Sequence, residues 1–299
     1  MKESIAVLGG GNGGHAVAAE MTLAGYEVRM YEDPKFIKNI EKVYNTKEIK
    51  ITGVARTGVA KLSMVTSNIK AAIKGVKYII IPLPAFCHKF YAELIADYVE
   101  DGQIILLLPG TFGSLLFHNV FKQKGIKKNI IFAEANSLPY DARLLGPGEV
   151  HVYGLNTPLQ LGVFPAKETS HVVEELSKLY EFNEAEDVIA CGLISLNPVA
   201  HTPGCLLNAG RIERSRGEFW LYEEGVTPCV ARVMEELDNE RISLVGRFGY
   251  RPISMEEALA GDREPRTIWE EINASTKLTP IKGPVSVKNR YFTEDIPYG

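Results

Sequence analysis

Residues 9–14 read Gly9-Gly10-Gly11-Asn12-Gly13-Gly14, so Gly9, Gly11 and Gly14 satisfy the spacing G-x-G-x-x-G. The first glycine of that pattern permits a tight turn, the second lets backbone approach a pyrophosphate, and the third lets a helix pack closely on a strand. Backbone amides at the start of the following helix (Gly11, Asn12, Gly13, Gly14), aided by its dipole, would hold the phosphates. The context is the one this chemistry requires: the apolar run Ile5–Leu8 precedes the glycines, and good helix formers from His15 to Ala24 follow them. The next apolar run, Glu27–Tyr31, ends at Glu32. An acidic side chain there accepts hydrogen bonds from an adenosine ribose and repels a 2′-phosphate. Asp33 and Pro34 follow in place of Arg or Lys, so NAD is expected in preference to NADP. Asp33 reads equally well as a solvated charge at a strand end.

A second constellation lies in Asn197-Pro198-Val199-Ala200-His201-Thr202-Pro203-Gly204. Asn197 can cap a helix that has Pro198 at its first position, while Pro203 disfavours helix at Thr202. The expected result is a short or broken helix presenting Asn197 and His201, at i and i+4, on one side. An imidazole, with an ordinary pKa of about 6.5, can accept and donate a proton near neutrality. From the local residues alone, His201 reads either as such a group or as a structural histidine.

The elements that must position these residues divide into two textures. Up to about residue 165, short β-rich runs alternate with helical stretches, the pattern of a parallel sheet with crossover helices. The runs Ile5–Leu8, Glu27–Tyr31, Tyr78–Ile81, Ile104–Leu108 and Ile130–Ala133 are nearly continuous in apolar residues, as in strands covered on both faces. Glu48–Thr52 and Lys61–Thr66 suggest an inserted hairpin, and Val150–Gly154 and Leu159–Phe164 further strands of the same sheet. From about Glu186 the texture is helical. Thr227 as cap, Pro228 at the first position and Gly249 as stop delimit one helix. Its stripe Val230, Val233, Met234, Leu237, Leu244, Val245 and Phe248 predicts a packed core face. The fold class expected is α/β, a Rossmann-type, mostly parallel sheet domain over 1–186 followed by an all-helical domain over 187–299.

Composition excludes several function classes. A net charge of −4 leaves no electrostatic footprint for nucleic acid or an anionic membrane surface. No apolar run approaches the roughly 20 residues of a spanning helix. The N-terminus passes from Met1-Lys2-Glu3-Ser4 into an apolar strand without a signal-peptide layout, and a cytoplasmic protein is expected. Cys87, Cys191, Cys205 and Cys229 lie far apart without C-x-x-C spacing, so mostly buried, reduced thiols and no metal site are expected.

The chain also resembles the opine dehydrogenase family, the octopine and nopaline dehydrogenase-like enzymes. The marks are GGGNGGHA at 9–16, Pro84-Ala85-Phe86 with His88, Leu108-Pro109-Gly110, and Glu134–Tyr140 with Arg143. They continue with NPVAHTP at 197–203, LLNAGRIE at 206–213, FWLYEEGVT at 219–227, LDNER at 237–241 and RYFTEDIPYG at 290–299. The resemblance implies NAD(P)H-dependent reductive condensation of an α-keto acid, such as pyruvate, with the amino group of an amino acid. It further implies acid–base catalysis by His201, a carboxylate partner in Asp295, a substrate-carboxylate anchor in Arg290, a substrate contact at Asn197, and Pro84 beside the cofactor. Such roles suit the residue types: a carboxylate fixes the imidazole tautomer, and a guanidinium holds a carboxylate through two parallel hydrogen bonds. Arg290 as a surface charge and Asp295 as a turn residue are the competing readings. Family chains continue past the final segment into further helices, so a missing C-terminal part of the helical domain is expected. Small-molecule substrates are the expected partners, with no nucleic acid, no membrane and a homodimer as a candidate assembly. A ketopantoate reductase-like enzyme acting on a single keto or hydroxy acid is the nearest alternative. A non-catalytic NAD-sensing module is a third, and it would need no proton donor.

Overall fold

The computed structural model describes residues 3–298, and the chain divides into two compact units between Gly192 and Leu193. The strands are β1 (Ser4–Leu8), β2 (Glu27–Tyr31), β3 (Glu48–Gly53), β4 (Gly58–Lys61), β5 (Met64–Thr66), β6 (Tyr78–Ile81), β7 (Ile104–Leu107), β8 (Ile131–Ala135), β9 (Tyr140–Gly146), β10 (Glu149–Leu155), β11 (Leu159–Phe164) and β12 (Phe182–Glu184). Eight of them form one sheet in the order β12-β11-β8-β7-β6-β1-β2-β5. From β5 to β8 the neighbours are parallel, while β11 runs antiparallel to β8. Successive side chains of a strand point to opposite faces, and both faces here are covered. Tyr78 and Ile80 join one apolar cluster, while Ile79 and Ile81 join the other. Ile104 and Leu106 are likewise separated from Ile105 and Leu107. This two-sided burial is why the runs are apolar throughout.

The remaining strands form a separate four-stranded sheet, β4-β3-β10-β9. The hairpin expected near residue 50 is there as antiparallel β3 and β4, but its second arm is Gly58–Lys61, and Met64–Thr66 returns to the main sheet beside β2. The segment around Val150 does not extend the main sheet. It pairs in parallel with β3 and antiparallel with β9, a strand the sequence reading lacked. The physical signal is alternation: Val150 and Val152 are buried while Tyr153 is exposed, the signature of a strand covered on one face.

The unit boundary falls beyond residue 186 because the helix Val188–Leu193 packs on the first unit. The Cys191 thiol donates to the Glu134 carbonyl oxygen, and a Cβ on Gly192 would strike the Phe112 ring.

The second unit is helical and has its own core, including Val199, Cys205, Phe219, Leu221, Met234, Ile268 and Ile272. The helix Pro228–Arg247 begins as expected, the Thr227 hydroxyl accepting from the Val230 amide. Its apolar stripe is only partly core: Val230, Met234 and Val245 are buried, whereas Val233, Leu244 and Phe248 are exposed. Asp238, on the same helix, is buried and accepts from Arg241 Nε and the Met255 amide, while Arg241 also donates to the carbonyl oxygens of Leu193 and Ile253. The LDNER segment is thus a tie between elements of this unit.

Among the described residues no cysteine forms a disulfide, but only Cys191 and Cys205 are buried; Cys87 is half-buried and Cys229 exposed. Among the described residues no helix is long and apolar enough to cross a membrane.

Candidate active site

The chain runs from β1 to β2 on one side, while β6 lies on the other, so the carboxyl ends of β1 and β6 form the switch point where doubly wound sheets bind ligands. The glycine segment leaves β1 there. Gly9 turns with φ +105°, a left-handed conformation that favours glycine, and donates to the Tyr31 carbonyl oxygen at 2.8 Å. A Cβ on Gly14 would collide with the Gly9 carbonyl oxygen, so helix Asn12–Leu23 can approach the turn only with glycine at that position. Gly13 faces Leu138 and Pro82. At Gly11 no protein atom lies within 4 Å of where a Cβ would stand, and no side chain caps the helix. The first amides of a long helix therefore border open space, which fits a pyrophosphate. The Asn12 side chain is already engaged, its Oδ1 accepting from the Leu144 amide at 2.9 Å, so only its backbone serves a ligand.

Glu32 is buried at the end of β2, and its carboxylate accepts from the amides of Gly10 at 2.7 Å and Asp33 at 2.9 Å. Burial raises its pKa, and the Asp33 and Gly10 amides offset part of that rise. Glu32 thus shapes the glycine loop from below, a role the sequence did not disclose. Asp33 is buried as well and accepts from the Lys35 amide, so it is not a solvated charge. Pro84 is half-buried and leads the short turn Ala85–Cys87 after β6.

Glu134, fully buried at the end of β8, holds the loop after β7. Its carboxylate accepts from the Phe112 amide at 3.0 Å, the Ser114 amide at 2.8 Å and the Ser114 hydroxyl. Thr111 and Phe112 both have positive φ, 49° and 60°, so this carboxylate stabilises a strained backbone at the sheet's carboxyl end. Burial raises the Glu134 pKa, the three donors opposing it.

In the second unit, helix Asn197–Leu206 runs unbroken through Pro203, against the expectation of a break. Burial of Val199, His201 and Cys205 on its inner side outweighs the proline's local penalty. Asn197 is the first helical residue rather than a side-chain cap, and its amide makes no hydrogen bond among the described residues. His201 is 7% exposed. Its Nδ1 lies 2.9 Å from Asp295 Oδ2, its Nε2 lies 3.0 Å from the Tyr222 hydroxyl, and the Tyr291 ring stacks on it at 4.0 Å between centroids. Asp295 ends the π-helical turn Tyr291–Asp295, a wide turn of a kind frequent at functional sites. Arg290 leads that turn, partly exposed, 5.7 Å from the Tyr291 ring centre and 3.8 Å from a Glu294 carboxylate oxygen. The structure thus brings together His201, Asp295 and Arg290, residues distant in sequence. It adds Tyr222 and Tyr291, to which sequence reasoning assigned no role although both lie in segments carrying the family resemblance. An imidazole with a buried carboxylate on Nδ1 has a fixed tautomer and exchanges protons through Nε2.

Two family models match the chain. Residues 184–299 match the NAD/NADP octopine/nopaline dehydrogenase α-helical domain, and residues 4–129 match the NAD-dependent glycerol-3-phosphate dehydrogenase N-terminus. An opine dehydrogenase of Arthrobacter sp. (strain 1C) is 33% identical over 302 residues, covering 99% of this chain and 83% of that protein. An octopine dehydrogenase of Mizuhopecten yessoensis is 27% identical over 63% of this chain and 48% of its own length. The solved structure of octopine dehydrogenase in complex with NADH and agmatine superposes with a TM-score of 0.77 at 21% identity, covering all of this chain and 82% of that one.

Proposed function

The chain belongs to the opine dehydrogenase family, and from that membership we propose how its own residues divide the work of an NAD(P)-dependent oxidoreductase acting on CH–NH bonds. The reaction is the reductive condensation of an α-keto acid with the amino group of an amino acid, and NADH, when bound, supplies the hydride. The first amides of helix Asn12–Leu23 hold the pyrophosphate beside Gly11, and Glu32 at the end of β2 favours NAD over NADP. His201 is the acid and base, and Asp295 fixes its tautomer and stabilises the imidazolium. Arg290 anchors the keto-acid carboxylate, and Asn197, whose amide is uncommitted, contacts substrate. The buried His201–Asp295 hydrogen bond carries this reading, since a sensor of dinucleotide would need no such proton-transfer pair.

A cytoplasmic setting belongs to the same proposal and is consistent with four cysteines that form no disulfide among the described residues. A homodimer does too, supported by the exposed apolar side chains Val233, Leu244 and Phe248; sedimentation at micromolar concentration tests it.

The reaction is tested by following NADH oxidation with pyruvate and each common amino acid, separately and together. NADH is expected to be consumed only when both are present, because the site must orient two reactants. Mass spectrometry should then show the joined secondary amine dicarboxylate. Full-rate consumption with pyruvate alone, yielding only lactate, would replace this reading with a simple keto-acid reductase.

A further inference from the structure

We propose that Glu134 is a positioning residue for the nicotinamide ring of the dinucleotide, acting through the loop after β7 that its buried carboxylate holds. The proposal rests on the reading of the first unit as a dinucleotide-binding domain, and it begins from the order of the strands. The parallel part of the sheet, β5-β2-β1-β6-β7-β8, consists of two three-strand halves that meet between β1 and β6. In a sheet of this order each half binds one mononucleotide at its carboxyl end. The glycine loop after β1 and Glu32 after β2 belong to the adenosine half, so the nicotinamide half falls to the loops after β6, β7 and β8. Those loops close on the glycine loop: a Cβ on Gly13 would lie 3.2 Å from the Leu138 side chain and 3.3 Å from Pro82.

The loop after β7 depends on a partner for its shape. Thr111 and Phe112 are consecutive residues at φ 49° and 60°, a conformation that a Cβ disfavours. Glu134 compensates from β8. Its Oε1 accepts from the Phe112 amide at 3.0 Å, and its Oε2 accepts from the Ser114 amide at 2.8 Å and from the Ser114 hydroxyl. Gly110 donates to the Ala135 carbonyl oxygen at 3.0 Å, and the Glu134 side chain fills the space a Cβ there would need.

The carboxylate thus occupies the start of helix Gly113–Gln123 as a bound anion would. The start of helix Asn12–Leu23, in the other half, has no such occupant and borders open space at Gly11. One half leaves its helix start to a phosphate, whereas the other fills it from within and turns Thr111, half-exposed, and Phe112, exposed, outward. A hydroxyl and an apolar ring suit an uncharged, amide-bearing ring better than a phosphate.

A loop released from Glu134 is correctly set in only a fraction of molecules, and apparent affinity falls by that fraction. The loss is confined to ligands that reach the loop. Glutamine at position 134 keeps the size but offers one acceptor and one NH₂, so the amide of Phe112 or of Ser114 is left facing another N–H. The test compares NADH, titrated by fluorescence, with ADP-ribose, which has the pyrophosphate and both riboses but no nicotinamide, titrated by calorimetry. In Glu134→Gln the Kd for NADH is expected to rise about tenfold, while that for ADP-ribose stays within about twofold of the parent. Equal weakening of both ligands would make Glu134 a support of the whole domain and overturn the proposal, as would unchanged affinity for both. If the parent protein binds neither ligand, the dinucleotide reading itself has failed, and the proposal with it. Should the glutamine variant not fold, Ser114→Ala removes only the hydroxyl donor. NADH should then weaken by about threefold with ADP-ribose unchanged, and the same two patterns would overturn the proposal.

Discussion

His201 and His88 are both buried, yet their surroundings give them opposite parts. His201 has a carboxylate on one nitrogen and a phenol on the other, partners that accommodate either protonation state. His88 begins the helix His88–Ile95, its ring edge-on to Phe117, and its Nε2 has no partner among the described residues. Burial pushes its pKa down to about 4, partly offset by the backbone at Leu83. The unfolded chain, with His88 near 6.5, binds the proton first. Stability is therefore whole above about pH 6.5, falls as pH drops from there towards 4, and changes no further from this group below that. A shift of this size corresponds to on the order of 3 kcal/mol. Urea unfolding at pH 7 and pH 4.5 should show that loss in the parent protein and a smaller one in His88→Gln. An identical pH dependence in the two would mean that His88 is not held neutral.

At the scale of elements, the glycine loop separates a steric requirement from a ligand requirement. Gly14 is dictated by the protein, because a Cβ there meets the Gly9 carbonyl oxygen. Gly11 is not, because no protein atom lies within 4 Å of such a Cβ. Gly14→Ala is expected to force the helix from the turn and cost about 3 kcal/mol. Gly11→Ala should cost no more than about 1 kcal/mol, as an alanine at a helix N-cap does. Fluorescence titration should nevertheless show NADH binding at least about tenfold weaker in Gly11→Ala, a loss of about 1.4 kcal/mol. Unchanged NADH affinity in the folded Gly11→Ala protein would place the dinucleotide elsewhere.

Across the whole molecule, the elements proposed to bind the cofactor and the proposed acid–base group belong to units with separate cores. Changes in one need not disturb the other. His201→Ala is expected to lower kcat by about 10² to 10⁴, the range for losing a positioned acid or base. Its NADH affinity should stay within about twofold of the parent. Stopped-flow turnover and NADH titration on the same preparation check both, and a kcat near that of the parent would return His201 to a structural role.

The apolar strands of the main sheet and the loop that turns from β1 were legible in the residues themselves, because both depend on local chemistry. A strand covered on both faces must be apolar at every position, as Tyr78–Ile81 is. A helix that starts against a tight turn must have glycine where backbone meets backbone. The alternating Val150 and Val152 were equally legible as a one-sided strand, but their partner β3 is nearly a hundred residues away in sequence, and no local pattern names it. Pro203 misled for a related reason: its cost is local, while the burial that offsets it comes from the rest of the helical unit. The pairing of His201 with Asp295 entered through family resemblance, not through spacing. Tyr222 on Nε2, Tyr291 on the ring face and Glu134 under a strained loop were decided by tertiary structure alone. These contacts span 3 to 4 Å between residues far apart along the chain, and only packing sets those distances.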